Sequence, residues 1–328
     1  MSFWKDQRVL VTGGSGFIAS HLCHRLVQAG ARVFVLTKYN SLVDNVRLAG
    51  WWERVTPVEA DLRNLDSLKA IRSIKPQVVY HFAAYNHVGD SFMHVSEAID
   101  VNGKGTVNLL EAYGRYARFI YISSSEVYGH QVRVPFTEAA TPCPISPYAI
   151  GKYTGELYAK MQWHIWRRPI VVLRPFNAFG PYQSPRAIIA ELILTCLQGK
   201  DVVTTAGRQT RDFNYVENLV DGFLLAAQRK QAVGEVINLG SGREISIRDL
   251  AVAIHRLCPS RSRLRIGRLA YRPTEIWRMV ADARKAKRLL GWQPRFSLEA
   301  GLERTIAWYR KFCGVFLAPD APLGRLWN

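Results

Sequence analysis

The chain has 328 residues, 48% of them apolar and 21% charged, with 44 lysines and arginines against 26 acidic residues for a net charge of +18. That composition excludes a disordered chain and allows one large or two ordinary domains. No apolar run reaches the ~20 residues of a bilayer span, and the five cysteines form no C-x-x-C pair, which argues against a zinc site or a disulfide-stapled secreted domain.

Met1-Ser-Phe-Trp-Lys-Asp6 lacks the charged-then-apolar layout of a signal peptide, so a cytoplasmic protein is expected. A short buried strand over 8–12 leads into a glycine-rich turn and an amphipathic helix over 17–29, which Gly30 ends. Further strands are expected over 32–36, 55–60, 77–82, 118–122 and 170–174, with helices over 65–74 and 96–113 and another before the last strand. Continuous apolar strands alternating with helices predict a parallel sheet covered on both faces, a Rossmann-like, doubly wound α/β fold. After Pro175 the pattern loosens, with helices over 187–198, 247–257 and 298–310 and one apolar strand over 236–239.

Thr12-Gly-Gly-Ser-Gly-Phe-Ile-Ala-Ser20 sits between the first strand and the first helix. Gly14, Gly16 and Ala19 match G-x-G-x-x-G/A, and Gly13 with Gly16 also gives T-G-x-x-G. Such glycines let the backbone approach a pyrophosphate, whose charge the helix N-terminus meets. Gly13, Gly14, Ser15, Gly16, Phe17 and Ile18 are therefore expected to hold NAD or NADP. The second strand ends in Leu36-Thr-Lys-Tyr-Asn40, without the carboxylate that binds the adenosine ribose of NAD. Thr37 and Lys38 stand there instead; the lysine either meets the 2′-phosphate of NADP, which favours NADP, or is a solvated loop cation. Asp61 and Leu62 are expected to border the adenine. The expected division is a dinucleotide-binding domain over 1–175, with a returning segment near 212–240, and a smaller C-terminal substrate-binding lobe over 176–328.

Tyr121-Ile-Ser-Ser-Ser-Glu-Val-Tyr-Gly129 places hydroxyls and a carboxylate at the end of an apolar strand. In Ser146-Pro-Tyr-Ala-Ile-Gly-Lys152 the Ser-Pro pair opens a helix, with Tyr148 in its first turn and Lys152 one turn on, on the same face. A phenol, with an ordinary pKa of roughly 10, is no base at neutral pH. A neighbouring ammonium and an oxidised nicotinamide both favour the phenolate.

With these motifs go His81-Phe-Ala-Ala84, Arg174-Pro-Phe-Asn177, Gly180-Pro181, Arg211-Asp-Phe-Asn-Tyr-Val216 and Arg272-Pro with Trp277. The chain resembles an extended short-chain dehydrogenase/reductase of the nucleotide-sugar epimerase/dehydratase family. The resemblance implies that Ser124, Tyr148 and Lys152 form the catalytic trio, with Ser125 beside it. It also places Ala83 and Ala84 on the cofactor, and Asn177, Arg211 and Arg272, with His87 and Arg186 from dehydratase-like loops, on the nucleoside-diphosphate sugar. A homodimer through two helices of each Rossmann domain is implied as well. Ala19 departs from the commoner third glycine, and Asn218 stands where the family usually has aspartate.

Glu126 bears on the reaction. Two residues after Ser124, it points to the same side if the segment is extended. In this family Tyr148 would take the proton from a sugar hydroxyl as hydride leaves for NAD(P)⁺, and Ser124 would bond the developing ketone. A C4 ketone acidifies the C5 hydrogen, which Glu126 would remove before water leaves from C6 and hydride returns there. The Ser-Glu form resembles GDP-mannose 4,6-dehydratases and some UDP-N-acetylglucosamine dehydratases. An NAD(P)-dependent nucleotide-sugar 4,6-dehydratase is the leading expectation. A 4-epimerase or UDP-glucuronate decarboxylase on the same trio stays open, and so does Glu126 as a turn carboxylate. The charge also admits a non-catalytic RNA-binding relative, but a binder has no need of this constellation. Neither nucleic acid, membrane nor metal is expected as a partner.

Overall fold

In the computed structural model, which describes residues 3–38, 41–271 and 275–317, a sheet of seven strands organises the chain. They are β1 (Arg8–Thr12), β2 (Arg32–Thr37), β3 (Val55–Glu59), β4 (Val78–His81), β5 (Arg118–Ile122), β6 (Ile170–Pro175) and β7 (Val236–Leu239). The order is β7-β6-β5-β4-β1-β2-β3 and every pair is parallel. The returning segment thus supplies an edge strand, with Ile237 opposite Leu173. Val78–His81 is buried throughout, as expected of a central parallel strand with helices on both faces. Strand order reverses between β1 and β4, and a ligand crevice opens beyond the carboxyl ends of strands at such a point.

On one face Phe17–Gln28 packs with Val216–Gln228 through Leu22, Leu26, Leu219 and Phe223. On the other, Pro147–Trp166 lies against the segment expected as one helix over 96–113. That segment is broken into Val95–Ile99, a π turn at Asp100–Lys104, and Gly105–Ala112. Glycines allow this close crossing. A Cβ on Gly151 would stand 2.8 Å from Asn102 Cβ and 2.9 Å from the Ala98 carbonyl, and one on Gly155 would stand 2.5 Å from the Tyr121 hydroxyl. The crossing brings the start of Pro147–Trp166 over the end of β5.

The helix expected over 65–74 is a 3₁₀ turn, Ser67–Ala70, running into Ile71–Ile74, and Ser41–Arg54 forms an unanticipated 3₁₀ run. The last helix extends further than expected, over Leu298–Leu317. It packs with Ile188–Leu197 and Ile247–Leu257 in a second core built on Ile193, Leu250, Ile254, Ile306 and Tyr309. Among the described residues no helix is long and apolar enough to cross a membrane.

Candidate active site

A cleft of about 650 Å³ lies beyond the carboxyl ends of β1, β2, β4 and β5, closed on one side by the chain from Pro175 to Ala187. Gly13 turns at φ +65°, and a Cβ there would come within 2.8 Å of Ala83 Cα, so only glycine allows the two backbones so close. Gly16 caps Phe17–Gln28 without a side-chain hydrogen bond, and the first turn holds no acidic residue. The helix therefore offers free N–H donors and its positive dipole end to an anion, which fits a dinucleotide pyrophosphate. Ser15, Phe17, Ile18, Thr37, Lys38, Asp61, Leu62, Ala83 and Ala84 line the same cleft. Gly14 does not: it faces the core, where a Cβ would meet Val35 Cγ1 at 2.7 Å.

Asp61 accepts from Arg63 Nε at 3.0 and 3.1 Å and from Nη2 at 2.6 Å, and this pairing holds its carboxyl below the usual range. Arg47, missed in the sequence, donates to the carbonyls of Ser15 at 3.1 Å and Tyr182 at 3.0 Å, tying the glycine turn to the far wall.

The Pro147–Trp166 helix starts where Ser146 Oγ accepts the Ala149 N–H at 3.2 Å and Pro147 takes the first position. Tyr148 and Lys152 follow on its buried face. Burial pushes the Tyr148 phenol up to about 12, a hydrogen bond with Ser124 pulls it back, and the charge of Glu126 raises it. The Lys152 ammonium sits 5.0 Å from the Tyr121 ring centroid; burial lowers its pKa to about 7, against the opposing pull of Glu156.

Ser124 and Glu126 share the cleft wall, but not by strand alternation. Ser125–Tyr128 is a 3₁₀ turn, and Ser124 caps it by accepting the Glu126 N–H at 3.2 Å. The hydroxyls that follow β5 compete for backbone donors and bend the chain, so the turn, rather than an extended segment, brings the carboxylate round. Burial raises the Glu126 pKa, Arg211 lowers it and Glu275 raises it again. Ser125 Oγ donates to Met279 Sδ at 3.2 Å.

Asn177, His87 and Arg186 also line the cleft. His87 accepts the Asp90 N–H at 3.0 Å, and Arg186 forks onto the Asp90 carboxylate with both bonds at 2.8 Å. Arg211 is not on the cleft wall. It donates to the Thr210 and Ile276 carbonyls and pairs with Glu275 at 2.5 Å, reaching Glu126 by its charge alone. Arg272 lies outside the described residues.

Two further groups escaped the sequence reading. Asn102, in the π turn, accepts the Tyr85 N–H at 2.7 Å and reaches the Tyr148 carbonyl at 3.5 Å, and such turns gather at functional sites. Glu156 lies fully buried beneath the trio. Asn218 departs from the usual aspartate because its amide donates to the Phe296 carbonyl while its oxygen accepts the Arg295 and Phe296 N–H groups.

A doubly wound parallel sheet with this cleft at its switch point and a Ser-Tyr-Lys cluster at the end of β5 defines an extended short-chain dehydrogenase/reductase. The family model described as GDP-mannose 4,6 dehydratase matches residues 10–305, and the chain belongs to that family of nucleotide-sugar dehydratases and epimerases. Human dTDP-D-glucose 4,6-dehydratase is 32% identical over 318 residues, 93% of this chain and 90% of the human protein. The crystal structure of UDP-glucose 4-epimerase from Thermotoga maritima, with UDP-glucose, superposes with a TM-score of 0.86 at 31% identity, covering 93% of this chain and 99% of that one. The UDP-glucuronic acid 4-epimerase of Bacillus cereus, in complex with UDP-glucuronic acid and NAD, gives 0.85 at 31% identity with the same coverage.

Proposed function

We propose that the protein is a nucleotide-sugar 4,6-dehydratase. The observation that carries this reading is the convergence of Ser124, Tyr148 and Glu126 on one cleft, where Ser124 lowers the Tyr148 pKa and the Glu126 charge raises it. A dinucleotide held by the glycine turn would supply a hydride acceptor and donor at its nicotinamide. In the free protein Tyr148 keeps its proton at neutral pH; the Lys152 ammonium, and an oxidised nicotinamide when bound, would favour the phenolate, which takes the proton of the C4 hydroxyl. Ser124 donates to the new carbonyl oxygen. Glu126, whose carboxyl pKa is raised by burial, takes the C5 proton and passes it to the C6 hydroxyl, which leaves as water. Hydride from the bound dinucleotide would then return to C6 as a solvent proton is added at C5.

A 4-epimerase is the second reading, favoured by the similarity to solved 4-epimerases, which is as close as that to the dehydratase. The experiment that decides is incubation with a panel of GDP-, UDP- and dTDP-sugars and either dinucleotide, with products weighed. A product lighter by one water supports the dehydratase, and a new isomer of unchanged mass supports the epimerase instead. Loss of carbon dioxide from a uronate means a decarboxylase.

The cofactor reading is NAD(H) or its 2′-phosphate. The Bacillus cereus relative carries NAD, while Lys38 and Arg63 at the adenosine end supply cations for a phosphate. A homodimer belongs to the same proposal, since Phe92, Met93 and Val95 beside one helix and Ile150 and Leu157 on the next leave large apolar side chains exposed.

A further inference from the structure

Glu156 is completely buried one helical turn beyond Lys152, on the same face. Its carboxylate accepts from Ser123 Oγ at 2.7 Å, and Ser123 is the neighbour of Ser124. It also accepts from Arg174 on β6, through Nε at 3.1 Å and Nη2 at 2.5 Å. The Arg174 guanidinium lies 4.7 Å from the Tyr128 ring centroid, and its Nη1 has no hydrogen-bond partner. Arg174 and Glu156 thus form a dry ion pair one helical turn from Lys152, and in such a place an uncompensated charge is strongly disfavoured.

Lys152 lies over the Tyr121 ring from β5, acts by its charge on His81 of β4, and shares its helix with Tyr148 and with Glu156, whose charge reaches it from one turn away. Burial holds both tyrosines protonated at neutral pH, which leaves Glu156, the partner of Arg174, as the one carboxylate among these groups. We propose that Glu156 is a positioning residue: it keeps the Lys152 ammonium charged and fixes the strand end that carries Ser124. The proposal rests on the reading that Tyr148 and Lys152 act together as the base. A charged Lys152 draws the phenol toward phenolate; without Glu156 the ammonium gives up its proton more readily and Tyr148 loses that support.

The test uses protein isotopically labelled at lysine Cε, titrated by NMR, with the Lys152 resonance assigned through Lys152→Met. Wild type is compared with Glu156→Gln and with Glu156→Gln/Arg174→Met, which removes both charges of the buried pair and carries the test if the single variant does not fold. The expected Lys152 midpoint is lower than wild type by about one pH unit or more in both variants. On an accepted nucleotide sugar, kcat falls with KM within about twofold, and Glu156→Asp partly restores both midpoint and rate. An unchanged midpoint overturns the proposal, as does a double variant that returns to the wild-type midpoint and rate, since Glu156 would then serve Arg174 alone. A lowered midpoint with unchanged turnover overturns the positioning role. The midpoint is read without substrate, so it stands apart from whether the enzyme is a dehydratase or an epimerase.

Discussion

Lys152 is a cation placed where water does not reach, and that has a measurable cost. Its pKa is lowered to about 7 in the folded protein against an ordinary 10.5, so between those values the unfolded chain binds more protons and stability rises with pH. Below about 7 the full penalty of burying the charge is present. Lys152→Met is expected to stabilise the cofactor-free protein most below that pH, with the gain shrinking toward zero near 10.5. Thermal unfolding across this range checks it, and a gain independent of pH would contradict it. At the adenosine end, Lys38→Ala should weaken NADP⁺ binding by about tenfold and leave NAD⁺ nearly unchanged, as loss of one charge-assisted contact predicts. Calorimetric titration with both dinucleotides measures this, and equal losses for the two would remove Lys38 from the choice. Tyr148 and Lys152 were legible in the sequence because one helical turn separates them. Glu156 was not, because the residues that give it meaning, Ser123 and Arg174, lie 33 and 18 positions away.

The Pro147–Trp166 helix, which carries Tyr148 and Lys152, sits where glycine lets it. Gly151 touches Asn102 and the Ala98 carbonyl at distances no Cβ tolerates. Gly151→Ala must push Pro147–Trp166 off its neighbour, and we expect a loss of about 1–3 kcal/mol in urea unfolding together with reduced turnover, since Tyr148 and Lys152 move with the helix. Full activity in a fully stable Gly151→Ala protein would contradict this view of the crossing. The sheet was legible in its apolar runs, whose strands fall within a residue or so of their expected bounds. The π turn at Asp100–Lys104 was not, since apolar periodicity does not register one inserted residue. Nor was the 3₁₀ turn after β5, where hydroxyls that cap a turn also suit a strand end.

Over the whole molecule, the charge of +18 leaves many arginines held by carboxylates, as in the Arg63–Asp61, Arg186–Asp90 and Arg265–Asp201 pairs. The exposed apolar positions at Ile150 and Leu157 lie two turns apart along one helix. Light scattering is expected to give a dimer mass for the wild type and a monomer mass for Leu157→Asp, and a wild-type monomer would dismiss the dimer. The molecule's chemistry turns on whether Glu126 takes a proton from C5. The most direct measurement is turnover of an accepted nucleotide sugar in deuterium oxide, by wild type and Glu126→Gln, with products read by mass and NMR. The account predicts that wild type loses one water and gains deuterium at C5, while Glu126→Gln reduces bound cofactor in a single turnover and releases no dehydrated product. A wild-type product that keeps its water and carries no deuterium at C5, or a Glu126→Gln enzyme that dehydrates at the normal rate, would contradict it.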